Sequence, residues 1–300
     1  MVKHLLMLIC VIISFSAQAL DSAQGVTLVN IPYMERAGLH RDYADALLEL
    51  ALESSRDTYG PYEIVQQGEQ TVIRRQLQQL IDGTNLSVAV SMPMPEWLEG
   101  TRMVQFPIMK GLASYRLFFA HEENLTLFNM IERVESLKAL KIGQGRGWST
   151  AKLLEDNGFR VVYGGNYKAL FPMLGADRFQ LLMRGAYEIG PEYAFYKDIM
   201  PELAIVDGLA IYTYLPMYFF VSEKHEGLAE RLEYGLKKAH ASGAIDSLFE
   251  QYFSEALALL NVEQRKIFYL PNTNIDPSFY EKDKPYLLET IIKREAERNH

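Results

Sequence analysis

Residues Leu137–Glu192 read LKALKIGQGRGWSTAKLLEDNGFRVVYGGNYKALFPMLGADRFQLLMRGAYEIGPE. Three short runs within it, Lys141–Gly145, Phe159–Tyr163 and Phe179–Met183, have the aliphatic and β-branched content of buried strands. Between them lie two amphipathic stretches, Thr150–Asn157 and Tyr167–Leu174, which stop at Asn157-Gly158 and Gly175. Strand, helix, strand, helix, strand predicts an α/β fold with parallel strands joined by right-handed crossovers. Sheets of this kind bind ligands beyond the carboxyl ends of their strands. Gly145-Arg146-Gly147-Trp148-Ser149 follows the first strand and Arg184-Gly185 the third, so both are candidate binding segments.

The strand, the glycine turn, the helix and then YKALFPMLGADRFQLLMRG resemble the second lobe of family 3 periplasmic solute-binding proteins. GQGRGW, RF and RGAYE look like a proteobacterial branch of that family. The resemblance covers roughly residues 26–253. It implies a two-lobed, Venus-flytrap fold, each lobe a mainly parallel sheet flanked by helices. A discontinuous first lobe would comprise residues 20–118 and 219–253, and a second lobe residues 119–218, with a C-terminal extension, 254–300, lying over the first lobe.

Working outward, the amino-terminal end is a different kind of sequence. Lys3 and His4 precede an apolar run, Leu5–Phe15, and Ala17-Gln18-Ala19 has the small residues of a cleavage site. The expectation is a secretory signal peptide over residues 1–19 and a periplasmic mature chain. The run is too short for the ~20 residues that span a bilayer. The single cysteine, Cys10, lies inside this segment after Ile9, so no thiol, disulfide or cysteine metal site is expected beyond it. Removing 1–19 takes away one lysine and no acid, and moves the net charge from −8 to about −9. That balance argues against nucleic acid or an anionic membrane as partner.

In the first half, Gly25–Ile31 reads as a strand, Arg41–Tyr59 as one helix, Tyr62–Val65 as a strand, Thr71–Ile81 as a helix and Leu86–Val90 as a buried strand. The loops after the strands offer Tyr33 and Ser91 as cleft residues. After Leu86–Val90, many family members carry a Thr-Pro-Glu-Arg run whose Thr and Arg grip the α-carboxylate of an amino acid. The matching residues here are Met94-Pro95-Glu96-Trp97. A thioether and an indole cannot make that bidentate bond, so ordinary amino-acid recognition is not expected. Trp97 is carried as a cleft residue and Arg102 as a replacement cation, with a surface ion pair as its alternative fate. Tyr115–Ala120 should leave the first lobe and Met217–Val221 return to it, making a hinge. Gly227–Ala241 and Gly243–Phe253 read as the closing helices.

On the second lobe the candidate contacts are Arg146, Trp148, Ser149, Arg184 and Glu188. Trp148-Ser149-Thr150 opens a helix, where Ser149 or Thr150 can cap and free N–H groups can hold an anion. As a dinucleotide fingerprint GQGRGW fails, because Trp148 occupies the third glycine position. In the resembling family an acidic residue near Arg184 pairs with the ligand's amino group. A cation in that place would face an acidic ligand group instead. The local alternative is an ion pair with Glu188, four residues on. Glu188 and Glu192 would then hold Arg184, or receive a basic group.

No G-x-S-x-G elbow, H-E-x-x-H pair or histidine cluster is present, and no cofactor is expected. The resulting expectation is a monomeric solute-binding protein. It would capture a small, acid-bearing, polar or aromatic ligand between two lobes for an inner-membrane permease or sensor. The alternatives are a sensory protein without a transport role, and a small-carboxylate dehydratase with Glu188 as its acid or base.

Overall fold

The computed structural model describes residues 25–33, 39–70 and 73–292; the expected signal peptide and the charged end 293–300 lie outside the described residues. The strands are β1 Thr27–Tyr33, β2 Tyr62–Gln70, β3 Val88–Ser91, β4 Arg102–Met103, β5 Tyr115–His121, β6 Lys141–Gly145, β7 Arg160–Gly164, β8 Leu181–Gly185, β9 Leu203–Ile205, β10 Leu209–Tyr212, β11 Tyr218–Val221 and β12 Lys266–Tyr269. The helices are α1 Leu39–Ser54, α2 Arg56–Tyr59, α3 Ile73–Asp82, α4 Pro95–Leu98, α5 Leu125–Asn129, α6 Val134–Lys138, α7 Ser149–Asp156, α8 Tyr167–Gly175, α9 Ala186–Tyr196, α10 Leu228–Ala241, α11 Ala244–Leu260 and α12 Ser278–Asp283.

Two bodies of strands result. In the first, β1 pairs with β2 in parallel, and β11 lies antiparallel between β3 and β4. Ser87 joins the two pieces: its N–H donates to Asn30 O at 3.0 Å, and its hydroxyl oxygen accepts from Asn30 N–H at 2.5 Å. The second sheet runs β12-β10-β5-β8-β6-β7, with β9 also on β5. Strands β6, β7 and β8 are parallel, as the alternation of strands and helices requires, while β5 is antiparallel to β8, β9 and β10. The chain crosses between the bodies at Ser114 and again after Tyr212. Fully buried Ser114 fastens the two crossings, since its carbonyl accepts Thr213 N–H at 3.0 Å and its hydroxyl accepts Leu215 N–H at 3.1 Å.

The single helix expected over Arg41–Tyr59 is broken at Ser55. The Ser55 hydroxyl donates back to Leu52 O at 2.8 Å, a bond that competes with the helical ladder. It also accepts from Nε of Arg231, a guanidinium buried by α10 that reaches Gly60 O at 2.7 Å and Thr27 Oγ1 at 2.7 Å. Helix α10 can approach α1 this closely because residue 235 is glycine. A Cβ there would come within 1.9 Å of Ala51 O.

The tail departs from the expectation of a cover on the first lobe. Helix α11 continues past Phe253 to Leu260, because Ala256 and Leu260 extend its buried stripe. The next segment then adds β12 in parallel to β10, at the edge of the larger sheet. Only afterwards does the chain pass to the first body. Asp283, on α12, accepts from Tyr214 OH at 2.5 Å and from Tyr218 OH. Leu288 N–H bonds Lys110 O at 3.0 Å, and Tyr286 packs on Phe106. The extension is therefore a strap alongside the crossing segments, fixed to both bodies.

Candidate ligand-binding site

Strands β6, β7 and β8 end together, and α7, α8 and α9 begin there. Arg184 stands at the end of β8, buried, with its guanidinium 4.7 Å from the Trp148 ring centroid and 5.3 Å from that of Tyr167. Trp148 reaches this position because Gly145 has no side chain; a Cβ there would meet the indole at 2.4 Å. Arg184 Nε donates to both oxygens of Glu192, at 3.0 and 2.7 Å, and its Nη2 donates to Glu192 at 2.5 Å and to Glu188 at 3.0 Å. Glu188 also accepts Gly185 N–H at 2.7 Å, capping α9 at the positive end of its dipole, and lies 3.5 Å from buried Arg116.

Two guanidinium and two carboxylate groups thus form one buried, charge-balanced cluster. Burial pushes the Glu188 carboxyl up, but Arg184 and Arg116 outweigh it and hold the group down at about 2. Glu192 moves the other way. Burial raises it, and the neighbouring Glu188 charge adds to the rise, against its bonds from Arg184 and Tyr167. Burial also lowers His40, which faces Tyr187 across the boundary with α1 at 5.2 Å between ring centroids. His40 is therefore neutral at pH 7.

Beside the cluster a cavity of about 1130 Å³ runs between α8 and α9. Glu188, Glu192 and Tyr167 stand at one end of it and Met200 and Glu202 at the other. Phe171 and Tyr196 stack directly on each other in its wall, with centroids 3.4 Å apart and planes inclined by 14°. Phe195 and Ile199 border it with 61% and 68% of their surfaces exposed. His40 is its contribution from α1. Pockets for drug-sized ligands span roughly 300–1,000 Å³ and are mostly apolar with a few placed polar groups, so this one is roomy.

The candidate residues separate into groups. Arg184, Glu188 and Trp148 come together in the cluster. Ser149, beside Trp148, touches the first body, its hydroxyl lying 3.8 Å from Met92 Sδ in the loop after β3. Ser91 and Tyr33 are half-buried at the ends of β3 and β1. Arg146 is exposed, with its guanidinium 5.4 Å from the Tyr163 ring. Trp97 is not a cleft residue: it is buried with Leu80, Leu86 and Phe220, its ring 5.2 Å from that of Phe220. The apolar underside of α4 needs a large side chain, and the indole supplies it. Arg102 is no replacement cation either, since it pairs at the surface with Glu230 on α10 at 2.5 Å. Helix α7 begins with Trp148 at its N-cap and no side-chain bond there, while the Thr150 hydroxyl turns inward to Gln144 Oε1 at 2.7 Å.

Sequence reasoning passed over Tyr167, Phe171, Tyr187, Phe195, Tyr196 and His40. Their signal was present as five aromatics along two consecutive helices, but a buried stripe has the same spacing.

No family model matches the sequence, and no curated protein does. Solved structures do resemble it. The probable amino-acid ABC transporter extracellular-binding protein of Bacillus subtilis aligns over 77% of this chain and 99% of its own, with a TM-score of 0.57 and 12% identity. An ancestral arginine-binding protein bound to arginine aligns over 75% and 98%, with a TM-score of 0.52 and 16% identity. The GluR0 ligand-binding core in complex with L-glutamate aligns over 76% and 98%, also at 0.52 and 16%. At such identities the likeness establishes the fold, which is that of the two-lobed periplasmic binding proteins.

Proposed function

We propose that the chain is a solute-binding protein of family 3 that captures a small ligand at the seam of its two lobes. Its closed form would be read by a transporter or sensor in the membrane. The observation that carries this reading is the cavity of about 1130 Å³ between α8 and α9, which opens beside Arg184 at the end of β8, is walled by aromatic side chains and reaches His40 of the first lobe. A ligand that touches both lobes favours the closed arrangement, and only such differential affinity can drive closure.

The aromatic walls favour a flat, largely apolar ligand. They do not favour an acid held by Arg184, whose guanidinium is already bonded to two carboxylates and covered by two rings. Amino-acid recognition of the usual kind also lacks support on the first lobe, where Met94 and Trp97 belong to the apolar cluster around Phe220. Glu188, the group on which dehydratase chemistry would depend, is fixed as an anion by Arg184, Arg116 and the start of α9, far from the poise of a general acid or base at neutral pH.

The test is a thermal-shift screen of the full chain against aromatic acids, aromatic amines, nucleosides, sugars and amino acids, repeated with Phe195→Ala. A ligand at a hundred times its Kd adds about 2.7 kcal/mol of stability. The reading expects aromatic compounds to stabilise the wild type and to lose most of that effect in the variant. Stabilisation by a sugar or amino acid that Phe195→Ala leaves unchanged would place capture elsewhere.

A further inference from the structure

We infer that the cavity between α8 and α9 selects an organic cation, an amine carried on a flat or extended apolar body, with the charge at Glu192 and the body along Phe171, Tyr196 and Phe195. This rests on the capture reading above and adds the ligand's chemical class.

Three features of the cavity converge on that class. The first is which charges face it. Glu188, Glu192 and Glu202 line it, against Arg184 and Lys168. Arg184 is more enclosed than either glutamate, with side-chain exposure of 8% against 17% for Glu188 and 13% for Glu192. The Trp148 and Tyr167 rings also lie against its guanidinium, so the carboxylates are the more accessible part of the cluster. Lys168 is exposed on the outer turn of α8 and can swing into solvent, while burial keeps His40 uncharged.

The second feature is spare bonding capacity. A carboxylate accepts about four hydrogen bonds. Two nitrogens of Arg184 make three contacts to Glu192 and the Tyr167 hydroxyl bonds it as well, so three donors leave room for about one more. Two glutamates lie side by side there, and the upward shift of Glu192 reports their mutual repulsion and burial. An ammonium group arriving from the cavity would relieve it. A carboxylate arriving from the cavity would meet two negative groups first, and could reach Arg184 only by displacing Glu192.

The third is the surface that a bound body would cover. Phe195 and Ile199 stand open to solvent at the lip, and the stacked pair of Phe171 and Tyr196 lines the wall behind them. Aromatic faces attract organic cations as well as flat apolar rings. A purely apolar ligand would leave the carboxylate edges desolvated and unanswered, at a cost that a cationic head avoids.

The decisive experiment compares three compounds with one body and different heads: phenylbutylamine, phenylbutanol and phenylbutyrate. Their binding to the full chain is measured by titration calorimetry at pH 7, with Glu192→Gln and Phe195→Ala alongside. The amine is expected to bind about tenfold more tightly than the alcohol, the scale of one charge-assisted contact, and the acid more weakly than either. Glu192→Gln should bring the amine down to the alcohol, while Phe195→Ala should weaken both alike. If the alcohol or the acid equals the amine on wild-type protein, the cation assignment is overturned and capture in the cavity stands. If none of the three binds and Phe195→Ala is silent toward every compound that does, both readings fall. Should Glu192→Gln not fold, as judged by near-ultraviolet circular dichroism, the wild-type ranking and the Phe195→Ala comparison decide alone.

Discussion

Arg184→Met removes the cation from the buried cluster and keeps an apolar side chain of similar length. Glu188 retains Arg116 at 3.5 Å and the Gly185 N–H at 2.7 Å. Glu192 loses all its bonds from Arg184, and Glu188 and Glu192 then outnumber Arg116. Breaking a buried ion pair by deleting one partner costs about 3–5 kcal/mol. The contacts of the guanidinium with Trp148 and Tyr167 add roughly 0.5–1 kcal/mol each. Glu192 limits the total by taking a proton, which its raised pKa already favours. The expected loss is therefore about 4 kcal/mol at pH 7, out of the roughly 5–15 kcal/mol that holds a typical protein folded.

Urea unfolding followed by circular dichroism measures this, at pH 7 and again at pH 5. The loss should be smaller at pH 5, where Glu192 is more readily protonated. Adding Glu192→Gln restores the balance of one Arg with one Glu, so the double variant should regain about 2–3 kcal/mol relative to the sum of the singles. A loss below about 1 kcal/mol, or strict additivity in the double variant, would refute the claim that charge balance holds this site together.

Other parts of the molecule give equally definite expectations. Glu188 has its folded pKa held below the ordinary 4.5, at about 2, so it contributes stability above pH 4.5 that is lost as the pH falls toward 2. The loss is on the order of 3 kcal/mol, and acid titration of Glu188→Gln should show a shallower fall over that window. Asp283→Asn takes the charge from the acceptor shared by Tyr214 and Tyr218. It should cost about 1–3 kcal/mol in urea and speed proteolytic cleavage of the strap after Tyr269. Gly235→Ala puts a methyl group within 1.9 Å of Ala51 O and must part α1 from α10; a loss of at least about 1–3 kcal/mol in thermal unfolding is expected.

The alternation of strands and helices from Lys141 to Gly185 was legible because β6 and β8 are buried on both faces, β7 keeps the β-branched run of an edge strand, and each helix has one apolar side. Those patterns survive in any context, and the boundaries moved by only a residue or two. Ser55 was not legible as a break, since the interruption of α1 depends on Arg231, which arrives from far along the chain. The same holds for β12. Its Lys-Ile-Phe-Tyr gains a partner only because β10 presents an open edge, and nothing local says which sheet will offer one.

Side-chain direction was the larger loss. Trp97 and Arg102 sit on segments that approach a cleft in proteins of this fold, yet one turns into the core and the other out to Glu230. What decides is the neighbour each finds, Phe220 below α4 and a carboxylate on α10, and neither is near in sequence. Arg184 shows the opposite case. Glu188 at four residues and Glu192 at eight lie on successive turns of the helix that follows, so the ion pairs could be read from spacing, and they form. Once they form, the cation cannot also serve as a free anchor. Recognition then passes to the carboxylate edges and the aromatic groove beside them, where the charge of the ligand should be opposite to the one that Arg184, taken alone, implies.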